Sequence, residues 1–126
     1  MTASAQIARR RILVVEDEAI IAIMLEFDLK DMGYDVIGPA PCVETALQLI
    51  DNEPLDFALL DYRLGDETSE SIASALAERQ IPFLFMTGHC VNDLPFELRA
   101  ESLLQKPVNG KALRHAIEAI FEFPKR

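Results

Sequence analysis

Short apolar runs alternate with amphipathic segments along the chain, and this alternation limits the possible folds more than any other feature. Runs of this length between glycine, proline or charged residues are typical of strands buried on both faces. The runs are Ile12–Val15, Tyr34–Ile37, Phe57–Leu60, Phe83–Met86 and Ser102–Gln105. Between them, apolar residues recur three or four positions apart, as in 43–50, which predicts helices.

Capping and turn residues indicate where these elements end. Gly33 is expected to end the first helix, and Gly38-Pro39 the second strand. Thr68 or Ser69 is expected to cap the third helix. The first helix should bury Ile21, Leu25 and Leu29, with Met24 and Met32 beside them, and Asn109 should cap the last helix, with Leu113, Ile117, Ile120 and Phe121 inward. The segment 91–101 contains Pro95, so the fourth helix is expected to be short or irregular.

Five strand–helix units predict an α/β fold, (βα)5, with a doubly wound, parallel, five-stranded sheet covered by helices on both faces. In the order 2-1-3-4-5, strands one and three are neighbours. The 126 residues suit one domain. We expect a flexible N-terminal tail over residues 1–10 and one domain over residues 11–126.

Composition excludes several classes of function. The formal charge is −9, so the chain should repel phosphate backbones, and direct nucleic-acid binding is not expected. No apolar run approaches the roughly 18 residues that a membrane span needs, so no membrane contact is expected. Cys42 and Cys90 match no metal or redox spacing and indicate free thiols in a reducing cytoplasm.

The residues that follow the strands carry the chemistry. Functional groups in an open parallel sheet gather beyond the carboxyl ends of its strands. Glu16 and Asp17 follow the first strand, Asp61 the third, Thr87 the fourth and Lys106 the fifth. We therefore expect three acids, a hydroxyl and an ammonium at one edge of the sheet.

Each of these residue types suits one step of phosphoryl transfer. Clustered carboxylates repel one another unless a hard cation neutralises them, and Mg²⁺ prefers oxygen ligands. Asp61 can then act as an oxygen nucleophile toward phosphorus, giving an acyl phosphate. Lys106 can neutralise the developing charge, and Thr87 can donate its hydroxyl to a phosphoryl oxygen.

Taken singly, each residue has an ordinary structural interpretation. An aspartate after a strand is usually a turn or cap residue, and Glu16-Asp17-Glu18 could be helix N-terminal charge. The four strand ends together favour the functional interpretation. His89 and His115 have no partner at metal-ligand spacing and are interpreted as surface or core residues, although His89, two residues after Thr87, could modulate the phosphoryl lifetime.

From Arg11 to about Phe123 the chain resembles the receiver domain of response regulators, a flavodoxin-like fold. The motifs are Ile12-Leu13-Val14-Val15-Glu16-Asp17-Glu18, Leu60-Asp61-Tyr62-Arg63-Leu64, Phe85-Met86-Thr87-Gly88 and Lys106-Pro107. The resemblance implies that Asp61 is phosphorylated and that Asp17 binds Mg²⁺ directly. It also implies that Glu16 acts partly through water and that the backbone carbonyl of Arg63 completes the protein ligands. Thr87 and Lys106 would contact the phosphoryl group.

Two positions depart from the family pattern. Leu103 stands where receivers usually carry a switching Tyr or Phe, so the signal is expected to spread through Thr87 and the segment after it. The stretch 82–88 looks like that of a proteobacterial stand-alone subgroup with Phe-Ala-Thr-Gly, with Met86 in place of the alanine. The family also implies a cis peptide bond at Lys106–Pro107.

The expected function is that of a phosphoacceptor in a two-component phosphorelay. The resemblance implies a histidine kinase or histidine phosphotransferase as donor, a downstream protein target, and a cytoplasmic monomer or weak homodimer. The chain ends at Arg126 directly after the fifth helix, so no output domain is expected. It would catalyse only its own phosphorylation and dephosphorylation and would not be an enzyme otherwise. Two alternatives are a small flavin-binding domain, which needs a phosphate loop after the first strand, and a degenerate adaptor, which lacks one of the site residues.

Overall fold

A computed structural model describes residues 9–87, 103–106 and 108–122. These residues form seven strands and four helices. In chain order they are β1 (Arg11–Val15), α1 (Ala19–Asp31), β2 (Asp35–Ala40), α2 (Val43–Asn52), β3 (Phe57–Asp61), β4 (Arg63–Leu64), β5 (Glu67–Thr68), α3 (Glu70–Glu78), β6 (Phe83–Thr87), β7 (Leu103–Gln105) and α4 (Gly110–Glu122). None of the described helices is long and apolar enough to cross a membrane.

Five strands form one parallel sheet in the order β2-β1-β3-β6-β7. This is the predicted order 2-1-3-4-5, because β4 and β5 form a separate antiparallel hairpin. The α/β doubly wound prediction is therefore confirmed. The predicted tail, the irregular helix within 91–101, the segment through which the signal would spread and the Lys106–Pro107 bond fall wholly or mainly outside the described residues.

Successive side chains of each strand enter opposite hydrophobic clusters, as the two-residue period of a strand requires. One cluster joins Leu13, Ala58, Leu60 and Phe85 to α2 and α3. The other joins Ile12, Leu59, Leu84 and Met86 to α1 and α4. The sheet is thus buried on both faces, and its strands are apolar at consecutive positions for that reason.

The ends of two helices follow the sequence signals. Gly33 has φ +96° directly after the C-cap of α1, a conformation that glycine adopts without steric cost. The Asn109 side-chain oxygen accepts the Ala112 N–H at 2.7 Å, as an N-cap residue does. Leu113 and Ile117 of α4 are buried.

Two predictions about apolar segments are wrong. β2 continues through Gly38 and Pro39 to Ala40. It lies at the edge of the sheet, where a missing N–H is tolerated, and its pairing with β1 is irregular near this point. Met24 is 58% exposed, because α1 is apolar around most of its circumference and Ala22 takes the inward position.

Candidate functional site

The strand register brings the predicted site residues to one edge of the sheet. Val15 is paired with Leu60, so Glu16 and Asp61 follow at adjacent strand ends. Asp61 itself is paired with Met86, and Thr87 comes next. These neighbouring strands thus end at the same edge of the sheet.

Three carboxylates converge at this edge. Glu16, Asp17 and Asp61 each offer one oxygen, and these oxygens all lie within 4.8 Å of one another. Glu16 and Asp61 are buried, whereas Asp17 is exposed and leaves the cluster accessible. An all-oxygen, negatively charged donor set of this kind fits Mg²⁺, a hard cation that binds through few carboxylates and keeps several waters.

The ammonium of Lys106 lies between two of these carboxylates. Its Nζ is 2.8 Å from Glu16 Oε1 and 3.0 Å from Asp61 Oδ2, and the lysine side chain is only 12% exposed. A third carboxylate, Glu18, is 3.8 Å away. The Glu16 contact has the length of a charge-assisted hydrogen bond, although among the described residues Glu16 Oε1 has no partner of regular hydrogen-bond geometry. The contact is an ion pair at this distance.

These contacts shift two pKa values. Burial raises the pKa of Glu16, and the nearby Asp61 charge raises it further, against the lowering effect of Lys106. Burial alone would lower the pKa of Lys106, but its close contacts with the Glu16 and Asp61 carboxylates outweigh this, so the pKa is raised. Lys106 is therefore a fixed positive charge at neutral pH, shared among more negative charge than it can neutralise.

Thr87 and Arg63 occupy the strand ends beside this cluster. Thr87 is buried at the end of β6, and its carbonyl accepts the Lys106 N–H at 2.8 Å. This backbone hydrogen bond joins the ends of the fourth and fifth strands of the sheet, β6 and β7. Arg63 begins β4, two residues after Asp61.

The hairpin β4–β5 also contacts the site, and the sequence interpretation missed it. The Gly65 N–H donates to Asp17 Oδ2 at 3.1 Å, and Gly65 has φ +60° in the turn. The sequence does contain a signal for this hairpin, because a Gly-Asp pair at 65–66 between two short segments is typical of a hairpin turn.

The prediction that Thr68 or Ser69 caps the third helix is right about the position, because Ser69 is the N-cap residue of α3, and wrong about the side-chain bond. Within the described part of the chain the Ser69 hydroxyl makes no cap bond. It donates to the carbonyl oxygen of Asp61 instead, at 2.5 Å. Ser69 has φ −89° and ψ 15°, which is not the extended conformation usual for an N-cap residue.

The remaining candidate residues lie outside this cluster. His115 is exposed on α4, and His89 and Cys90 fall outside the described residues. Cys42 is a half-exposed free thiol at the N-terminus of α2, 3.3 Å from Thr45 Oγ1. This hydrogen bond and those of the backbone near Thr45 lower the pKa of Cys42.

Comparisons with known proteins agree with this geometry. Residues 12–118 match the family described as the response regulator receiver domain. The chain is 31% identical over 113 residues to the transcriptional regulatory protein PdtaR of Mycobacterium tuberculosis, covering 86% of this chain and 55% of PdtaR. It therefore spans only about half the length of that relative.

Two solved structures are similar over almost their whole length. One is the solution structure of SdrG from Sphingomonas melonis Fr1, with 36% identity, a TM-score of 0.80 and coverage of 96% of this chain and 99% of SdrG. The other is the BeF3-activated conformation of SdrG from Pseudomonas melonis Fr1, with 38% identity, a TM-score of 0.77 and coverage of 87% and 94%. The chain belongs to the response regulator receiver domain family, and it is the receiver domain of a two-component response regulator.

Proposed function

We propose that this domain accepts a phosphoryl group on Asp61 from a phosphohistidine of a histidine kinase or histidine phosphotransferase. The observation that carries the proposal is the position of Asp61, whose Oδ2 is 3.0 Å from Lys106 Nζ within a cluster of three carboxylates. A carboxylate oxygen beside a fixed positive charge supports transfer of a phosphoryl group to Asp61.

The chemistry needs little more than positioning and charge neutralisation. An Asp61 carboxylate oxygen forms the new bond to phosphorus, while the P–N bond breaks and its electron pair returns to the imidazole nitrogen of the donor. Lys106 stabilises the phosphoryl oxygens through its ammonium, and Thr87 donates its hydroxyl to one of them. Mg²⁺, held by Glu16, Asp17, Asp61 and the Arg63 carbonyl, would supply the remaining positive charge. The product is an acyl phosphate on Asp61.

Several further properties belong to the same proposal. The domain acts in the cytoplasm as a monomer or weak homodimer and passes its signal by contact with a downstream protein target. It catalyses only its own phosphorylation and dephosphorylation. Its net charge of −9 supports protein partners over nucleic acid for this domain. The degenerate-adaptor alternative requires a missing acid, aspartate or lysine, and all are present.

An exposed apolar ridge on α1 suits the approach of the phosphoryl donor. The ridge consists of Ile20, Ile23, Met24 and Phe27, which are 74%, 63%, 58% and 71% exposed. These positions recur at helical spacing and share one face. Ile20 lies in the first turn of α1, three residues after Asp17 in the sequence, so a partner on the ridge is near the end of α1 that adjoins the site. We propose that the histidine-bearing domain of the donor packs against this ridge.

Phosphorylation itself is tested with acetyl phosphate and Mg²⁺, followed by intact-mass spectrometry. One hydroxylamine-sensitive phosphoryl group is expected on the wild type and none on Asp61→Asn. Asp66→Asn, which changes an exposed acid of the nearby turn, is the matched control and should be labelled like the wild type. Equal labelling of Asp61→Asn and the wild type would refute the assignment.

The ridge is tested by comparing two donors. Ile20→Ser and Phe27→Ser should slow transfer from a phosphorylated histidine phosphotransferase and leave labelling by acetyl phosphate unchanged. Lys30→Ser, at the polar end of α1, is the control. If the ridge variants abolish self-association in sedimentation and transfer is unaffected, the ridge is a contact between two copies of the chain, and the donor proposal fails.

A further inference from the structure

Ser69 is not one of the proposed site residues, yet it is hydrogen-bonded to the backbone of Asp61, the proposed phosphoacceptor. It is fully buried, at 0% exposure, between the hairpin β4–β5 and the first turn of α3. A serine at this position normally accepts a hydrogen bond from an N–H of the first helical turn. Here its hydroxyl points in the opposite direction and donates to the Asp61 carbonyl oxygen.

A second bond from the same residue makes the connection a clamp. The Ser69 N–H donates to the carbonyl oxygen of Tyr62 at 2.9 Å. Two consecutive carbonyls at the end of β3 are therefore held by one residue. Residues 62–69 therefore form a loop that leaves the sheet after Asp61 and whose far end is hydrogen-bonded back to the same point.

Several functional groups of the proposed site lie in this loop or directly before it. Asp61 bears the carboxylate that takes the phosphoryl group, and Arg63 offers the carbonyl expected to face the metal. Gly65 donates its N–H to Asp17 at 3.1 Å. Because the clamp fixes the peptide plane that follows Asp61, it limits both the direction of the reactive carboxylate and the place of the hairpin.

We propose that Ser69 is a positioning residue for phosphoryl acceptance, because its hydroxyl fixes the Asp61 backbone and closes the loop that carries the Arg63 carbonyl. This inference rests on the proposed function. It adds a role for a residue that touches neither the phosphoryl group nor the metal. A misplacement of about 1 Å in a reacting group can slow a reaction by about 100-fold, so even a partial loosening of the clamp is measurable as a rate.

The test compares Ser69→Ala and Ser69→Gly with the wild type in the full chain. The rate of Asp61 labelling is measured at saturating acetyl phosphate and Mg²⁺, with urea unfolding of each variant to establish that it is folded under the assay conditions. Both variants should be labelled at least about 10-fold more slowly than the wild type. Ser69→Gly retains most of the capping preference of the position, so it remains informative if Ser69→Ala is poorly folded.

Two controls separate positioning from general loss of stability. Ser74→Ala removes an exposed hydroxyl from the same helix. Ile50→Val weakens the core in α2 without touching the site. Both should be labelled at the wild-type rate. The inference is overturned if folded Ser69 variants are labelled within twofold of the wild type, or if Ile50→Val is slowed as much as they are. Failure of the wild type to be labelled would instead refute the proposed function.

Discussion

Replacement of Lys106 by methionine tests whether the ammonium and a divalent cation neutralise the same carboxylates. Methionine keeps much of the length of the side chain and removes its charge. Glu16 and Asp61 would then face each other without the cation that now lies 2.8 and 3.0 Å from them. Because the Glu16 side chain is fully buried, water cannot replace the lost partner at that carboxylate.

The expected loss of stability follows from these distances. At an effective dielectric constant of about 20, each contact contributes an attraction of about 5–6 kcal/mol. Desolvation of the ammonium opposes this, and removal of one partner from a buried ion pair costs about 3–5 kcal/mol in practice. Since Lys106 is still 12% exposed, we expect the lower end, about 3 kcal/mol.

A saturating divalent cation should reduce this loss. At 100 times its dissociation constant, a ligand stabilises the folded state by about 2.7 kcal/mol. The wild type gains from the cation too, so the deficit shrinks only by the difference in affinity. The methionine variant presents more uncompensated negative charge and should bind Mg²⁺ about tenfold more tightly, which reduces its deficit by about 1.4 kcal/mol, or about half. Labelling by acetyl phosphate should nevertheless be slow, because the charge that stabilises the transferred group is missing.

Urea unfolding followed by circular dichroism, in EDTA and in saturating Mg²⁺, measures both quantities. Lys111→Met is the matched control, since Lys111 is exposed on α4 and its loss should change the free energy of unfolding by less than about 0.5 kcal/mol. An identical deficit for Lys106→Met in both solutions would show that the ammonium and the cation act at different places. That result would refute the shared-charge reasoning.

Three further outcomes are expected. Mg²⁺ at ten times its dissociation constant should add about 1.4 kcal/mol to the stability of the wild type, visible as a higher melting temperature in calorimetry, and Asp17→Asn should lose this response. Gly38→Ala should lower the free energy of unfolding by about 1–3 kcal/mol in urea titration, because φ is +97° and a Cβ would lie 2.8 Å from the Ala40 nitrogen. Thr45→Ala should raise the pKa of Cys42 toward its ordinary value, so that iodoacetamide alkylates this thiol more slowly at pH 8, as read by peptide mass spectrometry.

The fold was largely predictable because strands that are buried on both faces are apolar at consecutive positions, a pattern visible in the sequence. A parallel strand covered on both faces must be apolar at every position, and 57–60 shows this without interruption. The extent of the edge strand β2 was harder to predict. β2 is only partly buried, and its Gly38-Pro39 pair is a turn signal that an edge position with irregular pairing overrides.

The site was predictable at the level of residues and not at the level of contacts. Parallel strands end at the same edge, so residues that follow them meet whatever the details of the loops. The Ser69 clamp depends on the direction of one side chain at the start of α3, which sequence propensity for capping predicts wrongly. Local preference and tertiary contact compete at that residue, and here the tertiary contact prevails.

The balance of charge at the proposed site would connect Mg²⁺ binding to phosphorylation. Without the exposed Glu18, the three clustered carboxylates and the Lys106 ammonium leave two negative charges in excess, which a single divalent cation would cancel. Phosphorylation replaces the single charge of Asp61 with a phosphoryl group of up to two, so the balanced site becomes negative again. Lys106 is shared between Glu16 and Asp61, so its ammonium alone does not balance the added charge, and a neutral donor at the same edge is needed beside it. Thr87 lies there at the end of β6, and its hydroxyl is the group we expect to respond when the phosphoryl group arrives.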